Sequence, residues 1–177
     1  NPTDPAKLGG LPGFVKTMAA ETAAEKGLEG WACTLEAPSY SPFLKYSENR
    51  ELRRQIWTAY NTRAIGGEFD NTEIVKKIVD LRIRIANILG YETYADYALE
   101  ERMAKTPEAV YNLLDQIWAP ALKAAKAEAD DMRKIIAKEG SNINLEAWDW
   151  RYYAQKAMKE KFNLSESEMA PYFMIDN

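Results

Sequence analysis

The fold class predicted by this sequence is mainly α: a multi-helix domain with one short extended or β region near residues 31–46. Three observations predict it. In most stretches apolar residues recur at the three- and four-residue spacing of one helix face. Glycine, proline and capping residues punctuate those stretches at helical lengths, and strict apolar–polar alternation occurs only once. Hydrophobic residues make up 46% of the 177, enough to fill a core within a single mostly helical segment, residues 1–177.

Residues 1–10 are polar and contain Pro and Gly, and read as a loose lead at a cut boundary. From Pro12 to Lys26, Phe14, Val15, Met18, Ala19, Thr22 and Ala23 give an amphipathic helix stopped at Gly27. Trp31 to Glu36 alternates, with Trp31, Cys33 and Leu35 on one side, and is the strand signal. Pro38 and Pro42 then bracket an extended or turning loop, with a partner strand expected near Phe43–Tyr46 or outside the chain. Ser47 is placed to cap a helix through Leu52, Ile56, Trp57 and Tyr60 that stops at Gly66-Gly67. Asp70-Asn71-Thr72-Glu73 has capping-box spacing ahead of the stripe Ile74, Ile78, Leu81, Ile85, Leu89, which ends at Gly90. Thr93 caps a shorter helix carrying Tyr94 and Tyr97. Thr106-Pro107-Glu108 is a helix start. That helix reads on to Glu139, with Pro120 expected to kink it near Gln116–Trp118 or split it in two. Ser165-Glu166-Ser167-Glu168 is a second capping box before Pro171, with Tyr172–Ile175 extended. The helices differ in length and loop type, so a repeat scaffold is not indicated.

Between the last two of these lies Leu145-Glu146-Ala147-Trp148-Asp149-Trp150-Arg151-Tyr152-Tyr153, where large aromatics crowd a helix start that Asn144 is placed to cap. Its aromatic surface is wider than one seam. It therefore needs cover on two sides or lines a cleft, and Asp149, one turn before Tyr153, is within reach of the phenol.

Composition excludes several functions. Basic residues number 23 against 27 acidic ones, and the basic clusters are interleaved with acids, so nucleic acid is not the expected partner. No run is long and apolar enough to span a bilayer, so no membrane partner is expected. A cytoplasmic location follows as the expectation, a periplasmic or exported parent also being compatible. Cys33 is the lone cysteine and cannot form an internal disulfide. The chain has no histidine. Imidazole is needed for HExxH zinc sites, Ser/His/Asp and Cys/His nucleophile systems and the di-iron sites of helical bundles, so none of these is housed here. No catalytic, metal-ligating or cofactor-binding residue is assigned.

Several ordered blocks carry a resemblance. Tyr46-Ser47-Glu48-Asn49-Arg50-Glu51-Leu52-Arg53, leading to Ala59-Tyr60-Asn61-Thr62-Arg63-Ala64, resembles the dipeptidyl carboxypeptidase branch of the thimet oligopeptidase family of zinc metallopeptidases. Gly10-Leu11-Pro12, Leu89-Gly90-Tyr91, Arg102-Met103-Ala104 and Trp148-Asp149 with Tyr152-Tyr153 fit the same family in the same order. The resemblance implies a largely helical protein in which two lobes face across a channel, where a zinc-bound water cleaves short peptides. It implies that this chain is an interior piece lying before the catalytic HExxH segment. The zinc would belong to the full-length parent, and the partners would be short peptides and the missing catalytic lobe. On that reading Arg63, Trp148, Trp150, Tyr152 and Tyr153 are candidate channel-lining residues. The alternative to the peptidase reading is a helical interaction or structural module with no enzymatic role, ahead of a small-molecule-binding helical domain.

Overall fold

A computed structural model describes residues 3–163 and 172. Among the described residues the regular structure is helical throughout: a short 3-10 helix (Pro5–Leu8), then α1 (Gly13–Glu25), α2 (Ala37–Tyr46), α3 (Arg50–Asn61), α4 (Thr72–Ile88), α5 (Tyr94–Leu99), α6 (Pro107–Lys138) and α7 (Trp150–Phe162). The mainly α expectation holds. The second capping box and the segment after Tyr172 lie outside the described residues. No helix among the described residues is long and apolar enough to cross a membrane.

The chain forms two compact units, one made of the residues up to Asn61 together with those from Ala127 on, the other of Thr62–Lys126. In the first unit α2 is central and packs on α1, α3 and α7. Its core has two clusters. Leu8, Leu11, Val15 and Phe43 are buried with Trp31, Cys33, Leu52 and Ile56 against them, and Met132, Ile135, Ile136 and Tyr153 form the second. Leu8, from the stretch read as a loose lead, is thus a core residue. Ala19 and Ala23 let α1 sit close to its neighbours, and the segment after it docks there, Ala32 N–H donating to the Ala19 carbonyl at 2.9 Å.

That docking explains why residues 31–36 are not the expected strand. The backbone donors that a sheet partner would receive are taken by a helix carbonyl and by Ser39 Oγ, which accepts from Thr34 N–H at 3.0 Å. The alternation nevertheless turns Trp31 and Cys33 to the core. The expected loop at Pro38 and Pro42 is α2 instead. Pro38 falls in the first turn, where its missing N–H has no partner to lose. Pro42 gives up one bond, and burial of Tyr40, Phe43 and Leu44 outweighs it.

The ends of α1, α4 and α6 follow the expected glycines, but α3 ends at Asn61, five residues before the expected stop at Gly66. Past α1, α4 and α6 the residue after Gly27, Gly90 and Gly140 donates back five residues, from Leu28 to Ala23, Tyr91 to Ala86 and Ser141 to Ile136. Helix starts differ in detail. Asn49, not Ser47, caps α3, its Oδ1 accepting from Leu52 N–H at 3.1 Å, while Ser47 is fully buried at the end of α2. Before α4 no reciprocal box forms; Asp70 accepts from the N–H and Oγ1 of Thr72. Pro120 does not divide α6, which is one helix across it, because a proline removes only one donor from a ladder of many.

In the second unit α5 packs on α4. Tyr97 meets both Tyr91 and Tyr94, and the Arg82 guanidinium lies 5.2 Å from the Tyr94 ring. Thr93 and Asp96 make a full capping box at α5. Thr93→Ala should therefore cost about 1 kcal/mol and show as faster amide exchange confined to residues 94–99. Unchanged exchange there would contradict the cap.

Candidate binding cleft

Arg50 and Arg53 are three residues apart on α3, so both guanidiniums leave the same face of the helix. They converge on Asp149. Its Oδ1 accepts from Arg53 Nη2 at 2.8 Å and its Oδ2 from Arg50 Nη2 at 2.8 Å, with Arg50 Nε shared between both oxygens. Glu146 N–H adds a bond at 3.2 Å. The Asp149 side chain is 0% exposed and that of Arg53 2%, against 38% for Arg50. Burial by itself drives the Asp149 carboxyl upward, but the bonds from Arg50, Arg53 and the Glu146 N–H outweigh it and hold the group below the usual carboxylate range. Arg53 also donates from Nη1 to the Ser47 carbonyl, and Arg50 Nη2, already bonded to Asp149, donates as well to the Asn144 carbonyl.

This cluster corrects three expectations. The helix begins at Trp150 rather than near Leu145, because the segment from Asn144 to Asp149 is spent on the arginines. Asn144 supplies a carbonyl there, not a cap. Asp149 does not meet Tyr153, whose hydroxyl donates to Glu139 Oε2 at 3.3 Å. Burial first, and then the Glu139 charge, push that phenol up.

Around the ion cluster the aromatics are stacked in order. Arg53 lies 4.2 Å from the Tyr152 ring centre, Arg50 lies 5.8 Å from that of Trp148, and Trp148 meets Trp57 edge-on at 5.7 Å. In front of Trp57 is a cleft of ≈ 630 Å³, bounded by Tyr40, Ser41 and Leu44 of α2, Trp57, Tyr60 and Asn61 of α3, and Ala147, Trp150 and Arg151. Tyr40 and Tyr60 stack at 4.2 Å on one wall. Arg151 donates to Ser41 Oγ at 3.1 Å and lies 5.9 Å from the Tyr40 ring centre. Among the described residues that line the cleft none is acidic. It therefore offers aromatic faces, an amide and one guanidinium, a set suited to holding a flexible apolar ligand with a carbonyl or carboxylate.

Of the expected channel-lining residues, Trp150 is in the cleft wall. Trp148 and Tyr152 are half-buried outside the cleft lining, Trp148 against Trp57 and Tyr152 under the Arg53 guanidinium, and Tyr153 is buried in the core cluster. Arg63 is exposed and belongs to the other unit. Sequence reasoning missed Tyr40, Trp57, Tyr60 and Arg151. The signal for Tyr60 and Trp57 was present as a helix stripe, but Tyr40 was hidden by the reading of Pro38–Pro42 as loop.

The chain as a whole is similar to known proteins. The model of peptidase family M3 matches residues 43–177. The chain is 35% identical over 95% of its length to oligopeptidase A of Haemophilus influenzae, covering 25% of that protein. It is 34% identical over 97% of its length to oligopeptidase A of Escherichia coli and 33% identical over 98% to dipeptidyl carboxypeptidase of the same organism, covering 26% of each. The chain thus spans about a quarter of the length of the curated relatives it matches.

Proposed function

Because this chain belongs to peptidase family M3, we propose that it is a helical, non-catalytic part of a metallopeptidase acting on short peptides, and that its aromatic cleft is one wall of the peptide's path. The observation that carries the binding role is the pairing of the Tyr40–Tyr60 stack and Trp57 with the Arg151 guanidinium in a cleft with no acidic residue among its described lining. Peptide side chains would lie on the rings. Arg151 would donate to a peptide carbonyl or terminal carboxylate. Trp150 is a lining residue in this reading, Trp148 backs Trp57, Tyr152 packs under Arg53, Tyr153 anchors α7 in the core, and Arg63 is a candidate peptide contact of its own unit.

The zinc that the resemblance implies does not fit the residues of this chain. The sequence has no histidine, and the described residues hold no group of three or more Cys, Asp or Glu side chains placed to share a metal ion. The chain's own side chains therefore bind and orient, and no bond-breaking step is assigned to them. Release of dipeptides from the peptide C-terminus is the mode we adopt. It is supported by the similarity to dipeptidyl carboxypeptidase, while the similarity to oligopeptidase A supports peptide hydrolysis without that restriction.

Two measurements test this. Short peptides titrated into the 177-residue chain should quench tryptophan fluorescence, and Trp57→Ala or Arg151→Gln should weaken binding about tenfold or more. Equal affinity in both variants, at retained helicity, would remove the cleft from the reading. Products of the whole reading frame on peptides with free C-termini, read by mass spectrometry, should be C-terminal dipeptides. Internal fragments would replace that mode by endopeptidase cleavage.

A further inference from the structure

We infer that α4 and the first half of α6 are core helices of a larger body, covered in the native protein by the rest of a polypeptide about four times this length. The inference rests on the peptidase reading for that length only. Its physical basis is in the second unit. At about 100° per residue, the apolar positions of α4, from Ile74 to Leu89, sweep an arc of about 220°, roughly twice the stripe of a helix lying on one surface. Yet Ala86 is its one buried residue, and Ile74 is 52%, Ile83 48% and Ile88 83% exposed. The first half of α6 repeats the pattern. Tyr111, Leu113, Leu114, Ile117 and Trp118 are all more than half exposed, while the buried residues of that helix lie beyond Ala127 in the other unit.

An apolar arc of this width is the sequence of a helix enclosed on more than one side. A second copy joined through one two-fold patch covers one side of each helix. The remaining three quarters of a relative-sized chain supplies cover from several directions without cost in association entropy. The remaining arc of α4 carries Lys76, Lys77, Asp80 and Arg84, Arg82 being the one charged residue within the apolar arc, and that of the first half of α6 carries Asp115, Gln116 and Lys123, so the apolar set is a directed surface and not a membrane-embedded rod.

The test compares hydrogen exchange over residues 74–89 and 110–122 in the 177-residue chain and in the whole native reading frame. The expected result is exchange slower on the order of a hundredfold in the longer protein. Ile78→Lys and Leu114→Lys should destabilise the longer protein while leaving the melting of the 177-residue chain unchanged. Equal exchange in both proteins overturns the inference, as does a reading frame that holds no further residues. Protection in the 177-residue chain that grows with its concentration overturns it in favour of a second copy. Peptide hydrolysis by the longer protein is read separately. Activity with unprotected helices rejects the inference and keeps the peptidase reading, and protected helices without activity do the reverse.

Discussion

Asp149→Asn should lower the stability of the first unit by about 3–5 kcal/mol, the cost of leaving buried charge uncompensated. The amide cannot satisfy two guanidiniums, and Arg53, 2% exposed, has no solvent to turn to. Arg50→Gln should cost much less, because Arg50 is 38% exposed and water replaces part of what it loses. Chemical denaturation of the three proteins checks this, and equal midpoints for wild type and Asp149→Asn would contradict it. A double variant, Arg53→Met with Asp149→Leu, should recover part of the loss, since removing both charges removes the desolvation cost with them. The pH dependence has a definite sign. The folded carboxyl titrates below its unfolded value of about 3.9, so the cluster's contribution is complete above that value. It is lost as pH falls through the lower, folded one. The stability curves of wild type and Asp149→Asn should therefore converge on acidification and stay apart at neutral pH.

Gly10→Ala should cost about 2–4 kcal/mol, summing the strain of a left-handed backbone at a residue with a Cβ and the shift needed to relieve overpacking. Gly10 has φ +77°, and a Cβ there would lie 2.3 Å from the Tyr46 carbonyl oxygen and 2.9 Å from Glu48 Cγ. The neighbour cannot withdraw easily, because the adjacent Glu48 N–H is bonded to the Gly9 carbonyl at 3.0 Å. Gly27→Ala is the control. Its φ is +64°, but nothing lies within 4 Å of the added carbon, so only the strain, about 1 kcal/mol, is expected. Thermal melts of the two variants separate clash from strain, and equal losses would remove the close approach from the account.

The cleft was partly legible in the sequence. Trp148, Trp150 and Tyr152 stand out as an aromatic cluster, and their crowding signals a surface needing cover on two sides. What organises them did not stand out, because Asp149 and its arginines are 96 and 99 residues apart. Within the local sequence Asp149 has Arg151 and Tyr153 for company, and both prove to have other partners. Tyr40 was obscured for a different reason. Two prolines in five residues favour a loop by local propensity, and only the burial of Phe43 and Leu44 against α1 and α3 makes the helix the better state.

By itself the sequence determined the helical class, the glycine stops of α1, α4 and α6, the Thr93 and Thr106 starts and the absence of histidine chemistry. Each of these depends on residues within a turn or two of one another, or on composition alone. Tertiary structure decided the fate of residues 31–46, the start of α7, the partners of Asp149 and the anchoring of Leu8 and Gly10. Those outcomes turn on long-range burial and pairing, in which an N–H, a carboxylate or a methyl group takes whichever partner the packed chain brings to it.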